Sequence, residues 1–68
     1  MTIKISKRTA TSNGDYYECD VFTNAKSYSL EDHALIVFLK TDDETKIEKQ
    51  IIRFSSQVDY KIRIIEEV

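Results

Sequence analysis

The two side chains that could carry covalent chemistry are Cys19 and His33, the single cysteine and the single histidine of the chain. A thiol nucleophile needs a base within hydrogen-bond reach and a third group that orients the base. His33 follows two carboxylates at a predicted turn, where we expect an exposed histidine. Cys19 lies between apolar neighbours on one face of a predicted strand, where we expect a buried thiol that acts as a small hydrophobic side chain. The sequence therefore predicts no catalytic residue.

Metal and nucleotide sites are not indicated either. One cysteine and one histidine cannot complete a four-ligand zinc site, and one glycine leaves no glycine-rich loop for a phosphate. We predict a protein that is not an enzyme and has no metal and no cofactor.

Basic and aromatic side chains offer a second kind of chemistry. Lys61 and Arg63 alternate along the outer face of the last predicted strand, with Arg53 shortly before them and Tyr16 or Phe22 as possible neighbours in the sheet. Small barrels that bind single-stranded nucleic acid use such a platform. However, ten basic and twelve acidic residues give a net charge of −2, whereas nucleic-acid binders usually carry a basic excess. We therefore favour cross-strand pairing with carboxylates.

Acidic side chains are concentrated in the middle of the chain. They lie on the second predicted strand and at two turns, and comprise Asp15, Glu18, Asp20, Glu31, Asp32, Asp42, Asp43 and Glu44. Clustered on one surface, they would imitate a row of phosphates and act as a decoy in a basic site of another protein. Separated, they keep a small β-protein soluble and discourage pairing of its edges. We favour the second interpretation.

Around these residues the pattern predicts an all-β fold in one domain, residues 1–68. The stretch 34–39 is apolar at every position and rich in β-branched residues, which indicates a strand covered on both faces. Alternation of polar and apolar residues predicts the other strands. Five or six antiparallel strands are expected near 2–8, 15–22, 25–30, 34–41, 45–54 and 58–66. The alternative is an α+β fold with a helix near 29–40, because Ser29 and Asp32 have the spacing of a helix-capping box.

The connections are short and polar, which favours an antiparallel meander. Asn13-Gly14 predicts a tight hairpin turn, and on the strand that follows we expect Tyr17, Cys19 and Val21 to face inward.

The alternation changes phase late in the chain, at Ile51-Ile52 and again at Ile64-Ile65. A β-bulge produces such a shift, because it inserts one residue and bends the strand. We therefore predict two bulges and a sheet that curls toward a small barrel.

A resemblance to known proteins is carried by two segments, YSLEDHALIV at residues 28–37 and FSSQVDYKI at residues 54–62. They are similar to the hairpin and closing strands of small, largely uncharacterised β-proteins encoded by phages and mobile elements of Gram-positive bacteria. The resemblance implies a protein that binds a host or virion protein.

The small size of the chain favours self-association. A domain of this length buries only about 60% of its unfolded surface. Moreover, Tyr16, Phe22, Ile36 or Phe38, and Ile65 cannot all be hidden inside one small curved sheet. We predict a homo-oligomer, most simply a dimer, formed through an exposed strand edge or outer face. Together with the absence of an apolar segment behind the first cations, these features predict a cytoplasmic, non-enzymatic protein-binding module.

Overall fold

The computed structural model describes residues 1–66, and strands are the only regular elements in that range. They are β1 (Thr2–Thr11), β2 (Gly14–Phe22), β3 (Ala25–Leu30), β4 (Ala34–Lys40), β5 (Ile47–Arg53) and β6 (Val58–Ile65). The predicted all-β class and all six predicted strands are confirmed, and 29–40 contains parts of β3 and β4 instead of a helix.

The strands form two antiparallel sheets of three strands each. The first sheet has the order β2-β1-β6, and the second has the order β3-β4-β5. Strand β6 returns to pair with β1, placing Ile64 opposite Ile3, so the meander is limited to the second sheet and to the β1–β2 hairpin. Within residues 1–66 the ladders do not close into a barrel.

One small core lies between the inner faces of the two sheets. Ile3 and Ile5 of β1 are fully buried, as are Leu35 and Val37 of β4. Half-buried side chains from β2, β5, β6 and their flanks surround this cluster. The prediction that β4 is covered on both faces is wrong, because the outward residues Ala34, Ile36 and Phe38 are only half-buried.

The inward face of β2 is the opposite of the one predicted. The hairpin register places Phe22 opposite Ile3, so Phe22 shares the inner face and packs against the core. Tyr17, Cys19 and Val21 point outward and are exposed. The register determines which side chains of β2 face inward. Because side chains alternate between the two faces of a strand, the Phe22–Ile3 pair fixes the orientation of every other residue of β2.

The two bulges predicted near the carboxyl end are absent from the described strands. Strand β5 pairs with β4 without a register shift, and β6 pairs with β1 in the same way. Ile51 and Ile65 are therefore outward-facing residues of regular strands, and both are exposed. The only register shift in these four ladders lies in β3, between Ala25 and Ser27.

The β1–β2 turn is displaced by one residue from the predicted position. Ser12 and Asn13 form the turn, while Gly14 already pairs with Thr11. Gly14 has φ +119°, a backbone conformation that residues with a Cβ rarely adopt.

The molecule is elongated, with extents of 46 × 23 × 18 Å and a radius of gyration of 13.7 Å. A compact chain of this length would have a radius of gyration of about 11 Å. The short core and the long sheets leave large outer faces exposed to solvent. No helix that could cross a membrane is found among residues 1–66.

Candidate functional site

The outer face of the second sheet carries an apolar patch, defined here as Ile36, Phe38, Ile47 and Ile51. Ile36 and Ile51 are directly opposite each other across β4 and β5. The exposed fraction is 60% for Ile47 and 49% for Ile51. Contiguous apolar side chains on an outer sheet face are typical of interaction surfaces.

Cations lie within this apolar patch and at its ends. Lys49 lies opposite Phe38, with its Nζ atom 5.7 Å from the centre of the aromatic ring. Lys40 lies opposite Ile47, and Arg53 is at the other end of β5. The outward strand positions of β3, β4 and β5 contain no carboxylate in the described part of the chain, but Glu44 after β4 lines a depression with Lys40 and Ile47. The patch therefore has one cation within it, Lys49, and one at each end, Lys40 and Arg53.

The outer face of the first sheet is basic. The register places Lys4 opposite Arg63 and Ser6 opposite Lys61. We call Lys4, Lys61 and Arg63 the cationic cluster. None of the three forms an ion pair with any of residues 1–66.

Arg8 lies on the same face but is neutralised locally. Its guanidinium donates to the carboxylate of Asp59, which lies opposite it on β6. This hydrogen bond is the main cause that raises the pKa of Arg8 above its ordinary value.

A shallow depression of about 410 Å³ opens beside the cationic cluster. Arg8, Tyr17 and Lys61 contribute to its walls together with Cys19. Tyr17 is 68% exposed, and its hydroxyl donates to the carboxylate of Asp15 at 3.4 Å. The depression thus combines an exposed aromatic ring with three basic residues and the carboxylates of Glu18 and Asp59.

The binding platform expected from the sequence is not assembled as predicted. Lys61 and Arg63 do share a face, but Tyr16 and Phe22 lie on the inner side of the same sheet. Arg53 belongs to the other sheet. The reason is again the register of β2, which brings Tyr17 to the basic face in place of Tyr16.

On the inner side of the first sheet, polar residues continue the strands beyond the core. Lys7 and Asp20 form an ion pair at 2.9 Å. The hydrogen bond to Asp20 raises the pKa of Lys7 above its ordinary value. Nearby, the hydrogen bond from Tyr16 to Glu18 raises the pKa of the phenol. These contacts explain how polar side chains occupy the inward positions of β2.

The acidic residues are divided among several places. Asp15 faces outward near the tip of the β1–β2 hairpin, whereas Glu18 and Asp20 face inward. The remaining carboxylates lie at opposite ends of β4, with Glu31 and Asp32 before it and Asp42, Asp43 and Glu44 after it. The structure therefore does not bring these eight residues together on one surface.

The loop 41–46 has its own hydrogen-bond network. The Asp43 carboxylate accepts from the amide and the hydroxyl of Thr45, and these bonds lower the pKa of Asp43. The hydroxyl of Thr41 donates to the carbonyl oxygen of Asp43. The carboxylate of Asp43 therefore already accepts hydrogen bonds from within the loop.

Cys19 and His33 lie on different sheets. The thiol of Cys19 is exposed on the outer face of the first sheet and is 4.0 Å from the Ser6 hydroxyl. The prediction of a buried Cys19 is wrong, because the β2 register turns it outward. His33 is exposed in the turn between β3 and β4. No three His, Cys, Asp or Glu side chains among residues 1–66 are close enough to hold a metal ion.

Sequence reasoning missed Lys4, Arg8 and Tyr17 as members of the basic face. A signal for the first two was present, because Ile3 and Ile5 fix the inner face of β1 and alternation turns Lys4 and Arg8 outward. Tyr17 could be placed only with the exact β1–β2 register. Comparison of the chain with known protein-family models, curated proteins and solved structures finds no match.

Proposed function

We propose that this chain is a non-enzymatic protein-binding module that uses the apolar patch to hold its partner. The observation that carries the proposal is the outer face of β4 and β5, where Ile36 and Phe38 are half-buried and Ile47 and Ile51 are exposed. Covering such a face releases water from apolar surface and stabilises the complex by about 25 cal/mol for each Å² buried.

The cations of this face indicate the chemistry of the partner. None of Lys40, Lys49 and Arg53 forms an ion pair within residues 1–66. A partner that places acidic residues beside apolar side chains would complement both the cations and the patch. We therefore propose an acidic partner surface. The resemblance of residues 28–37 and 54–62 to phage and mobile-element proteins supports a host or virion protein, met in the cytoplasm.

Site-specific photocrosslinking in the native host tests this proposal. A photoreactive amino acid replaces Ile51 in one variant and Val21 in a control variant. The two positions are equally exposed, at 49% and 50%, but Val21 lies on the other sheet. We expect a discrete product with a different protein from position 51 only, with acidic residues in the crosslinked segment of that protein. With that partner purified, Ile51→Ser should weaken binding at least tenfold and Val21→Ser should not.

Three results would contradict the proposal. They are equal crosslinking to protein from both positions, a crosslinked segment without acidic residues, and the absence of any product other than two copies of this chain. A product of two copies alone would be explained by the β5 dimer proposed below, in which position 51 faces Lys49 of the partner subunit.

We also propose that the protein dimerises along the free edge of β5. In an antiparallel pair of identical strands with a two-fold axis at Gln50, the whole of β5 takes part. Lys49 then faces Ile51 of the partner subunit, Glu48 faces Ile52 of the partner subunit, and no like charges are directly opposite.

The other edges fit self-pairing less well. Full-length pairing of β2 about its middle residue sets Glu18 against its own copy. Central pairing of β6 sets Lys61 against its copy or against Arg63 of the partner subunit. Strand β3 is short and contains the register shift, which disfavours edge pairing.

Pairing along β5 would also enlarge the proposed docking face. One strand of six residues and two of seven cover about 320 Å² in projection, taking about 4.8 Å between strands and about 3.3 Å for each residue. Two such faces side by side cover about 640 Å², compared with the roughly 800 Å² that each partner buries in a standard interface. Light scattering over a dilution series from 1 mM to 1 µM tests the dimer, and the mass of one chain throughout would refute it.

A further inference from the structure

We propose that the outer face of the first sheet is a second binding site, which takes a short segment of single-stranded nucleic acid. In this site the cationic cluster contacts backbone phosphates, and Tyr17 stacks on a base at the depression. The site is separate from the apolar patch, since the two lie on different sheets.

The charge arrangement is the first argument. Lys4 and Arg63 are directly opposite each other on neighbouring strands, and a like-charged cross-strand pair destabilises a sheet. Lys61 is the next outward residue to Arg63 on β6, and it adds a third positive charge. No carboxylate among residues 1–66 forms an ion pair with these three groups. A row of phosphates would supply the missing countercharge.

The net charge of the whole chain does not oppose this binding. On the same outer face, Asp59 is paired with Arg8, and Asp15 keeps its charge but lies near the hairpin tip, opposite Ala10 and away from Lys4 and Arg63 at the other end of β1. The acidic turns Glu31-Asp32 and Asp42-Asp43-Glu44 belong to the second sheet. Because salt screens exposed charges beyond about 10 Å, a ligand on this face responds mainly to the local cations.

The aromatic ring is the second argument. Tyr17 is the most exposed of the large hydrophobic side chains in the described range, at 68%. It lies beside Arg8, which is paired with Asp59, and it lines the depression with Lys61, which forms no ion pair within residues 1–66. An exposed ring next to a cation is the arrangement on which unpaired bases stack while the backbone is held by charge.

These features favour a single strand over other polyanions. Bases in a duplex are stacked on each other and are not available to Tyr17. A sulfated polysaccharide or an acidic peptide offers negative charge but no base. The contribution of Tyr17 therefore distinguishes nucleic acid from a general anion.

Fluorescence anisotropy of the full chain with a labelled 20-nucleotide oligothymidine measures the binding. Three phosphate contacts predict a slope of log K against log salt of about −0.7 × 3, or about −2. Affinity should thus fall about 18-fold between 50 and 200 mM salt. The double variant Lys61→Ala/Arg63→Ala should remove about two thirds of the slope.

Matched controls are available within the chain. Lys49→Ala/Arg53→Ala removes the same two residue types from the outer face of the other sheet and should leave the slope unchanged. Tyr17→Ala should weaken oligothymidine binding about fivefold or more without changing the binding of dextran sulfate. Tyr16→Ala, on the inner face of the same strand, should have no effect on either ligand. Circular dichroism of each variant verifies that it is folded.

The proposal is overturned if oligothymidine does not bind at 50 mM salt. It is also overturned if both double variants reduce the slope equally, or if Tyr17→Ala acts equally on oligothymidine and dextran sulfate. None of these results bears on the apolar patch, because crosslinking from position 51 reports on the other sheet.

Discussion

Gln50→Glu should weaken the dimer proposed along β5 while leaving the monomer intact. Gln50 is exposed in the middle of β5, and the proposed two-fold axis sets it against its own copy. The substitution changes neither the volume of the side chain nor any contact with the core. Its only large effect is to place two carboxylates opposite each other in the dimer.

The size of this effect follows from the pairing geometry. Directly opposite residues have Cβ atoms about 4.5–5.5 Å apart, and two carboxylates that turn away from each other are separated by about 6 Å. At that distance the repulsion is about 0.7 kcal/mol in water and about 2.8 kcal/mol at the effective dielectric constant of a protein surface. The dimer dissociation constant should therefore rise between about threefold and about 100-fold.

Sedimentation equilibrium of the wild type, Gln50→Glu and Gln57→Glu measures these constants. Gln57 is the matched control, since it is exposed in the turn between β5 and β6 and its substitution adds the same charge. The dimer affinity that Gln50→Glu loses should be partly restored in 0.5 M salt, and also near pH 3.5, where the new carboxylate is mostly protonated. Equal effects of the two substitutions, or no effect of Gln50→Glu on a wild-type dimer, would refute the pairing.

Four further perturbations test the fold and its electrostatics. Val37→Asp buries an unpaired carboxylate, which costs several kcal/mol, whereas the free energy of unfolding is about 3–10 kcal/mol for a chain of this size. Circular dichroism should therefore show that this variant is unfolded. Val21→Asp, at an exposed position, should remain folded. Gly14→Ala should lower the free energy of unfolding by about 1–2 kcal/mol in urea titrations because of the positive φ, although nothing lies within 4 Å of the added Cβ. Asp43 has a lowered pKa in the folded state, so the stabilisation that its carboxylate gives is present above the ordinary value of 3.8 and is lost as the pH falls through the folded pKa. The free energy of unfolding, measured by urea titration, should therefore change less between pH 5 and pH 2.5 for Asp43→Asn than for the wild type. Lys7 has a raised pKa, so the stabilisation that its ammonium gives is present below the ordinary value of 10.5 and is lost as the pH rises through the folded pKa. In urea titrations at alkaline pH, the free energy of unfolding should therefore fall less with rising pH for Lys7→Met than for the wild type.

The sequence predicts the positions of the strands far better than it predicts which of their side chains face inward. Alternation and turn residues located all six strands, because these signals are local. The pairing of β6 with β1 and the separation into two sheets depend on contacts between distant parts of the chain. The inward face of β2 depends on one register, and Tyr17 and Cys19 were misplaced because they are more apolar than Glu18 and Asp20. The Lys7–Asp20 ion pair, which stabilises the polar inward positions, cannot be read from local pattern.

The register also explains why total charge is a poor guide to what this chain binds. A net charge of −2 argues against polyanion ligands only if the charges are mixed evenly over the surface. Here alternation places Lys4, Lys61 and Arg63 on one outer face, and Lys40 and Lys49 on the other. Most of the carboxylates lie in turns or on the inner side of the first sheet. Both outer faces are therefore positive at short range although the chain is negative overall, and the exposed apolar and aromatic groups on each face determine which negative partner fits it.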